Sequence, residues 1–192
     1  MKRTRRWRGW SFMGAAALAS MLAVSPLQAQ ANPIAFGVVA GASIPLGDFA
    51  DFANTGWHAG GLAEWNGPVF PLGIRGEVVY HKFGSKQSDE ASLNLLTALI
   101  NGVWLFPMNE PATVRPYLIG GGGLYRQGCS DCGGADSENK GGINIGGGLQ
   151  VPLSGFTSII EARWHLIFDS EDGVPDSSNT TFIPISVGLL FR

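Results

Sequence analysis

The sequence predicts an all-β fold, an eight-stranded antiparallel up-and-down transmembrane β-barrel, entered after a cleaved signal peptide. Three observations carry this reading. The chain holds eight apolar-rich runs of about 9 to 14 residues, its connections alternate between long and short, and the runs divide by period two into an apolar and a polar face. Runs of that length exceed the roughly 5 to 6 residues usual in soluble strands and suit the roughly 9 to 11 that a tilted strand needs to cross a bilayer.

The first element is the signal peptide, residues 1–31. Five of the thirteen basic residues (Lys2, Arg3, Arg5, Arg6 and Arg8) fall in its first eight positions, and an apolar stretch of about fourteen residues follows, Ser11 to Val24. That stretch is short of the roughly 20 residues of a membrane-spanning helix. Gln28-Ala29-Gln30-Ala31 ends in the small residues that signal peptidase requires, so cleavage after Ala31 leaves a barrel domain at 32–192. Arg5-Arg6 lacks the bulky apolar pair of a twin-arginine signal, and the absence of cysteine near the cut excludes lipoprotein attachment.

Beyond Ala31 eight Lys and Arg stand against fifteen Asp and Glu. That balance makes nucleic acid a poor partner, because phosphate backbones select a basic surplus. Glycine, at 28 of 192 residues, is about twice its usual share and demands a fold that uses it.

In order, the eight expected strands are Ile34 to Ile44, Trp57 to Trp65, Leu72 to Phe83, Leu93 to Phe106, Val114 to Arg126, Gly142 to Val151, Phe156 to Phe168 and Phe182 to Arg192. The fourth, LNLLTALINGVWLF, reads equally as a buried helix when taken alone, and its place in the series favours strand. Long connections (Pro45 to Gly56, Gly84 to Ser92, Gln127 to Gly141, Asp169 to Thr181) alternate with short ones (Asn66 to Pro71, Pro107 to Thr113, Pro152 to Gly155). Outer-membrane barrels with short periplasmic turns and longer outside loops have this layout. The long connections hold eleven acids and two lysines, so one end of the molecule is strongly acidic.

In the third run Leu72, Ile74, Val78 and Tyr80 share one face and Arg75, Glu77 and His81 the other. The seventh run repeats this with Ile160, Ala162, Trp164 and Leu166 opposite Glu161, Arg163 and His165. Only nine of the 23 charged residues beyond Ala31 lie within the runs, too few for a barrel bathed in water. Aromatic residues near run ends (Trp57, Trp65, Tyr80, Trp104, Phe106, Tyr117, Tyr125, Phe168) are expected to form interfacial girdles.

Strands three and seven of an eight-stranded meander lie on opposite walls and run the same way. Arg75-x-Glu77 and Glu161-x-Arg163 carry opposite charge orders on their inward faces. Pairing across the narrow lumen would place Arg75 on Glu161 and Arg163 on Glu77, and close it. The competing expectation is that each charge pairs with its own-strand neighbour or with water. A crossed network implies that Glu161→Ala destabilises the barrel and that exchanging Arg75 with Glu161 partly restores it.

Pro116-Tyr117-Leu118-Ile119-Gly120-Gly121-Gly122-Gly123 and the terminal Phe182-Ile183-Pro184-Ile185-Ser186-Val187-Gly188-Leu189-Leu190-Phe191-Arg192 resemble segments of the small OmpA-like and opacity-porin-like outer-membrane β-barrel proteins. The second is similar to a terminal assembly signal, with Gly188, Leu189 and Phe191 as its elements and Arg192 in the place usually held by the aromatic. The resemblance implies a bacterial outer-membrane location in the cell envelope, passage through periplasmic chaperones and the barrel assembly machinery, and contact with outer-membrane lipid and lipopolysaccharide. Replacing Phe191 should then impair assembly more than replacing Phe182. Of activity the resemblance says little; the protein is expected to be a monomer with no enzymatic activity and no cofactor, in a membrane-integrity or surface-interaction role. A narrow porin for small solutes is the alternative, and a lipid-modifying enzyme a distant third.

Chemistry-bearing motifs are few. Cys129-Ser130-Asp131-Cys132 most simply forms a local disulfide in an exported protein, since no further soft ligand stands near it. The loop Asp169 to Asp176 has oxygen ligands but lacks EF-hand spacing, and reads as a solvated acidic loop, so no metal site is expected. His58, His81 and His165 all fall toward one end of their runs, and none has the His-x-Ser pair of the family's lipid-A deacylases. Luminal or interfacial packing is expected for each.

Overall fold

The computed structural model describes residues 33–67, 72–86, 92–107, 113–130, 137–168 and 179–192. The signal peptide and most acids of the long connections lie outside them. Contacts divide the chain into Met1–Gln30 and Ala31–Arg192, and every strand belongs to the second unit.

Eight strands follow in sequence: β1 (Ile34–Leu46), β2 (Gly56–Asn66), β3 (Leu72–Gly84), β4 (Ser92–Leu105), β5 (Arg115–Ser130), β6 (Glu138–Leu153), β7 (Phe156–Ile167) and β8 (Thr180–Phe191). Each pairs antiparallel with its neighbours, and β8 closes on β1 through pairs such as Phe36 with Phe191 and Ala40 with Val187. Closure leaves no unpaired edge, which a bilayer interior would not tolerate.

The doubtful fourth run is a strand. Its even positions from Leu96 to Ile100 are exposed and its odd positions from Leu95 to Val103 buried, the period of two that a helix cannot produce. The third long connection is shorter than expected. The strands β5 and β6 each run 16 residues, because Gln127 pairs with Glu138 and Arg126 with Asn139 beyond the apolar segments.

The barrel is turned inside out relative to a soluble protein. Its outward faces carry Ile100 (70% exposed), Phe36 (64%), Ile145 (64%) and Leu124 (63%), while Arg75, Glu64 and Tyr125 are fully buried inside. A continuous apolar belt of this kind is far beyond what water-soluble monomers expose, and it needs lipid. Trp57 and Trp65 stand at opposite ends of β2, separated by about 27 Å of strand. At a tilt of about 40° that gives an apolar height of roughly 20 Å, close to the band of a small outer-membrane barrel.

Short connections and both termini of the barrel share one end, the terminal end. At the other, the long-loop end, the first connection folds back over the wall. A single turn, α1 (Phe49–Phe52), packs Phe49 edge-on against Phe83 with ring centroids 5.2 Å apart. Asn54 N–H donates to Gly84 O at 2.7 Å, Lys86 N–H to Phe52 O at 2.9 Å and Lys86 Nζ to Ala50 O at 2.5 Å. Ala53 thereby joins a buried apolar layer of Phe83, Leu95, Leu99, Tyr125, Ile167 and Phe182 beneath the mouth.

Candidate functional site in the barrel lumen

The middle of the lumen is filled by charge. Arg75 on β3 donates from Nη1 to Glu161 Oε2 on β7 at 2.7 Å, straight across the barrel. One step along both strands, Arg163 Nη1 donates to Glu77 Oε1. Own-strand pairing also contributes: Arg163 Nε lies 2.8 Å from Glu161 Oε1, an ion pair by distance but without hydrogen-bond alignment. Arg75 and Arg163 therefore meet on one carboxylate, Glu161.

Two partners of this cluster are not evident from the third and seventh runs alone. Glu64 on β2 accepts from Arg75 Nη2 at 2.6 Å and Nε at 2.9 Å, being its register neighbour. Tyr117 on β5 donates to Glu161 Oε2 at 2.6 Å, and its ring lies 5.4 Å from the Arg75 guanidinium carbon. The alternation Trp57, Ala59, Gly61, Ala63, Trp65 outward places Glu64 inward, so the second run held the signal. Charge-assisted bonds of this kind are strong and directional, and several side chains wide enough to touch across the lumen leave it packed. Asn144 Nδ2 continues the polar layer by donating to Asn101 Oδ1 at 2.8 Å, and Asn101 Nδ2 and Glu77 Oε2 find no hydrogen-bond partner among the described residues.

The three histidines, expected near one end of their strands, lie inside and together. Ser43 Oγ stands 3.0 Å from His58 Nδ1 and 2.9 Å from His81 Nδ1, while His58 Nε2 is 2.9 Å from Ser186 Oγ. His165 Nδ1 is 2.9 Å from Tyr125 OH, and its ring stacks on Phe182 at 4.7 Å. Among the described residues, no group of three or more His, Cys, Asp or Glu is arranged to hold a metal ion.

Glycine makes the room for these large side chains. A Cβ on Gly148 would stand 2.7 Å from the Tyr117 ring, and one on Gly146 would stand 2.7 Å from Arg163 Cγ. These two glycines of β6 are thus sockets facing cross-strand bulk, a use of strand glycine that follows from close approach.

Tyr117 and Tyr125 correct the expected girdles. Both occupy inward positions of β5 and are buried, at 2% and 0% exposure, so a place near a run end does not make an aromatic interfacial when its parity points inward. Trp57, Trp65, Tyr80, Trp104, Phe106 and Phe168 are exposed on the outside. Phe191 is also exposed, at the terminal end beside Phe156, and Leu189 shares its face. Gly188 faces inward, where a Cβ would meet Val39 and Ile159. Phe182 is wholly buried in the apolar layer, so its replacement removes core packing and is a poor comparison for Phe191. The Cys129 and Cys132 disulfide lies outside the described residues, since Cys132 is not described and Cys129 only through its backbone.

Comparison with known proteins agrees with this geometry. The crystal structure of Neisserial surface protein A matches with a TM-score of 0.66 at 14% identity, covering 84% of this chain and 97% of that one. A major outer membrane protein from Thermus thermophilus matches with a TM-score of 0.51 at 15% identity, covering 83% and 99%. Identities this low establish a shared fold alone. No protein of curated function matches in sequence. The family model for the outer membrane protein beta-barrel domain spans residues 14–191. An inside-out, closed eight-stranded wall over nearly the whole length of that match makes this chain a member of the outer membrane protein beta-barrel domain family.

Proposed function

We propose that this is a non-enzymatic outer-membrane barrel with a plugged lumen, whose role in membrane integrity or surface interaction is carried by its outer face and long connections. The carrying observation is the pair of bonds Arg75 to Glu161 and Arg163 to Glu77, which tie opposite walls together at mid-lumen. The apolar layer and α1 above them add a second closure at the long-loop end. The histidines direct ring nitrogens to Ser43, Ser186 and Tyr125 within this packing, which supports a structural role over catalysis. In this reading the long-loop end faces outward, both termini are periplasmic, and the monomer reaches the membrane through a cleaved signal peptide.

Planar-bilayer recording tests the plug. The refolded protein is expected to give no steady conductance; large, steady conductance would overturn the plug and promote the narrow porin.

Assembly is proposed to depend on the terminal strand. Phe36 is the register partner of Phe191 and is 64% exposed, so it shares the same rim without belonging to β8. Phe191→Ser is expected to lower the outer-membrane level several-fold relative to Phe36→Ser in fractionated immunoblots. Equal losses would count against an assembly signal.

A further inference from the structure

Toward the long-loop end from the charge cluster, the three histidines form a layer of their own across the lumen. His58 and His81 are register partners on β2 and β3, with ring centroids 5.2 Å apart. Phe182 of β8 links them to the third ring: it meets His81 edge-on at 5.3 Å and stacks on His165 of β7 at 4.7 Å. All three histidines are buried. Their nitrogens meet the hydroxyls of Ser43, Ser186 and Tyr125 rather than carboxylates. Histidine is the side chain whose charge ordinarily changes nearest neutral pH, so a lumen closed by uncharged imidazoles is closed conditionally.

The layer has room for one extra proton. Ser43 Oγ owns a single proton, yet it stands within bonding distance of His58 Nδ1 at 3.0 Å and His81 Nδ1 at 2.9 Å. His58 can hold protons on both nitrogens without losing a bond. Its Nδ1 then donates to Ser43, its Nε2 donates to Ser186 Oγ at 2.9 Å, and Ser43 donates on to His81. A second proton has no such place. On His81 Nδ1 it would give Ser43 two donors, take away the acceptor of its hydroxyl proton, and set two cationic rings 5.2 Å apart. On His165 it would make both nitrogens donors, and Nε2 is buried with no hydrogen-bond partner among the described residues. A buried charge without partners draws in water or forces the packing apart.

The charged groups facing this layer are Glu77 of β3 and Glu161 and Arg163 of β7, and Tyr125 of β5 adds a phenol. From β1, β4, β6 and β8 it meets neutral side chains, among them Ser43, Leu95, Asn144 and Phe182; Lys140 and Glu138 of β6 pair with each other nearer the rim. Arg163 repels every charge added to the layer. Ser186, which His58 Nε2 meets, is the register partner of Glu161. A cationic His58 therefore competes with Arg75 and Arg163 for the carboxylate on which their bonds converge.

We propose that the histidine layer is an acid-operated latch, which closes the lumen while its rings are neutral and admits ions once two or more of them are protonated. The inference rests on the plugged-lumen reading, since a latch needs a lumen that is closed at neutral pH. The first proton loosens Glu161 from its arginines; the second parts His58 from His81, and water enters to hydrate both.

The test records the refolded protein in planar bilayers while the pH is stepped from about 7.5 to about 4 and back. No steady conductance is expected at the start, a steady conductance in acid, and closure on return. Its onset should be steep, with about two protons taken up per opening. His81→Gln keeps a polar group opposite Ser43 and removes one site of the second proton, and should lower the acid conductance about tenfold. Histidine labelled with nitrogen-15 in the unsubstituted protein gives a readout that needs no variant to fold: rings with both nitrogens protonated should appear over the pH range in which conductance does. Silence at both pH values overturns the latch and leaves the plug standing, whereas steady conductance at the neutral start overturns the plug and the latch with it. Acid opening with neutral rings, or at full size in His81→Gln, assigns the opening to Glu77 and Glu161 and overturns the latch. So does loss of the folded band on unboiled gels of the acid-treated protein, which is acid unfolding.

Discussion

Glu161→Ala is expected to destabilise the barrel by about 3 to 5 kcal/mol, the usual cost of leaving buried charge without its partner. Glu161 is where the network converges: it accepts from Arg75 at 2.7 Å and Tyr117 at 2.6 Å, and lies 2.8 Å from Arg163 Nε. Alanine removes all three at once, in a layer buried from solvent. Glu161→Gln keeps an acceptor oxygen and should fall between. The midpoint of urea unfolding in detergent, read by the mobility of unboiled samples, measures the loss, and single-channel leakage should rise with it. A shift of under about 1 kcal/mol, the scale of a surface ion pair, would mean that water reaches the layer. The expectation from sequence that exchanging Arg75 and Glu161 restores the pairing is corrected by Glu64. Arg75→Glu would put a carboxylate beside Glu64, which now accepts two bonds from Arg75, and Glu161→Arg would add a guanidinium beside Arg163. The exchanged protein should be no more stable than Glu161→Ala.

Gly148→Val is expected to cost about 1 to 3 kcal/mol or more through overpacking. Its Cβ would stand 2.4 Å from Ile160 O, in the backbone of the neighbouring strand, and 2.7 Å from the Tyr117 ring and hydroxyl. The carbonyl belongs to the sheet and cannot yield cheaply, and relief of the second clash moves Tyr117 and with it the bond to Glu161. Gly76 supplies the contrast. A Cβ there has no atom within 4 Å, so Gly76→Ala should be neutral or stabilise by about 0.5 to 1 kcal/mol. The same unfolding assay compares the two. Comparable losses at both positions would show that lumen space is not what glycine provides.

Strand number, strand order and the side most strand residues face were legible in the sequence, because period-two alternation is a local property of an extended chain; Tyr117 and Tyr125 were misplaced outward because nearness to a run end was set above parity. All eight expected runs lie within four residues of β1 to β8 at either end. The opposed orders of Arg75-x-Glu77 and Glu161-x-Arg163 were legible for the same reason, since counting strands around a closed meander puts β3 opposite β7. Height was not legible. Which residues share a level depends on the stagger between strands, a collective quantity set when the barrel closes. Closure brought Glu64 to Arg75 through the register of β2 on β3, and Tyr117 to Glu161 opposite the socket at Gly148. It also drew His58 and His81, from facing positions of β2 and β3, onto the single hydroxyl of Ser43. The sequence by itself determined the wall and the kinds of side chain turned inward; tertiary structure decided which of them touch, because contact across a lumen requires both the diameter and the stagger of a closed sheet.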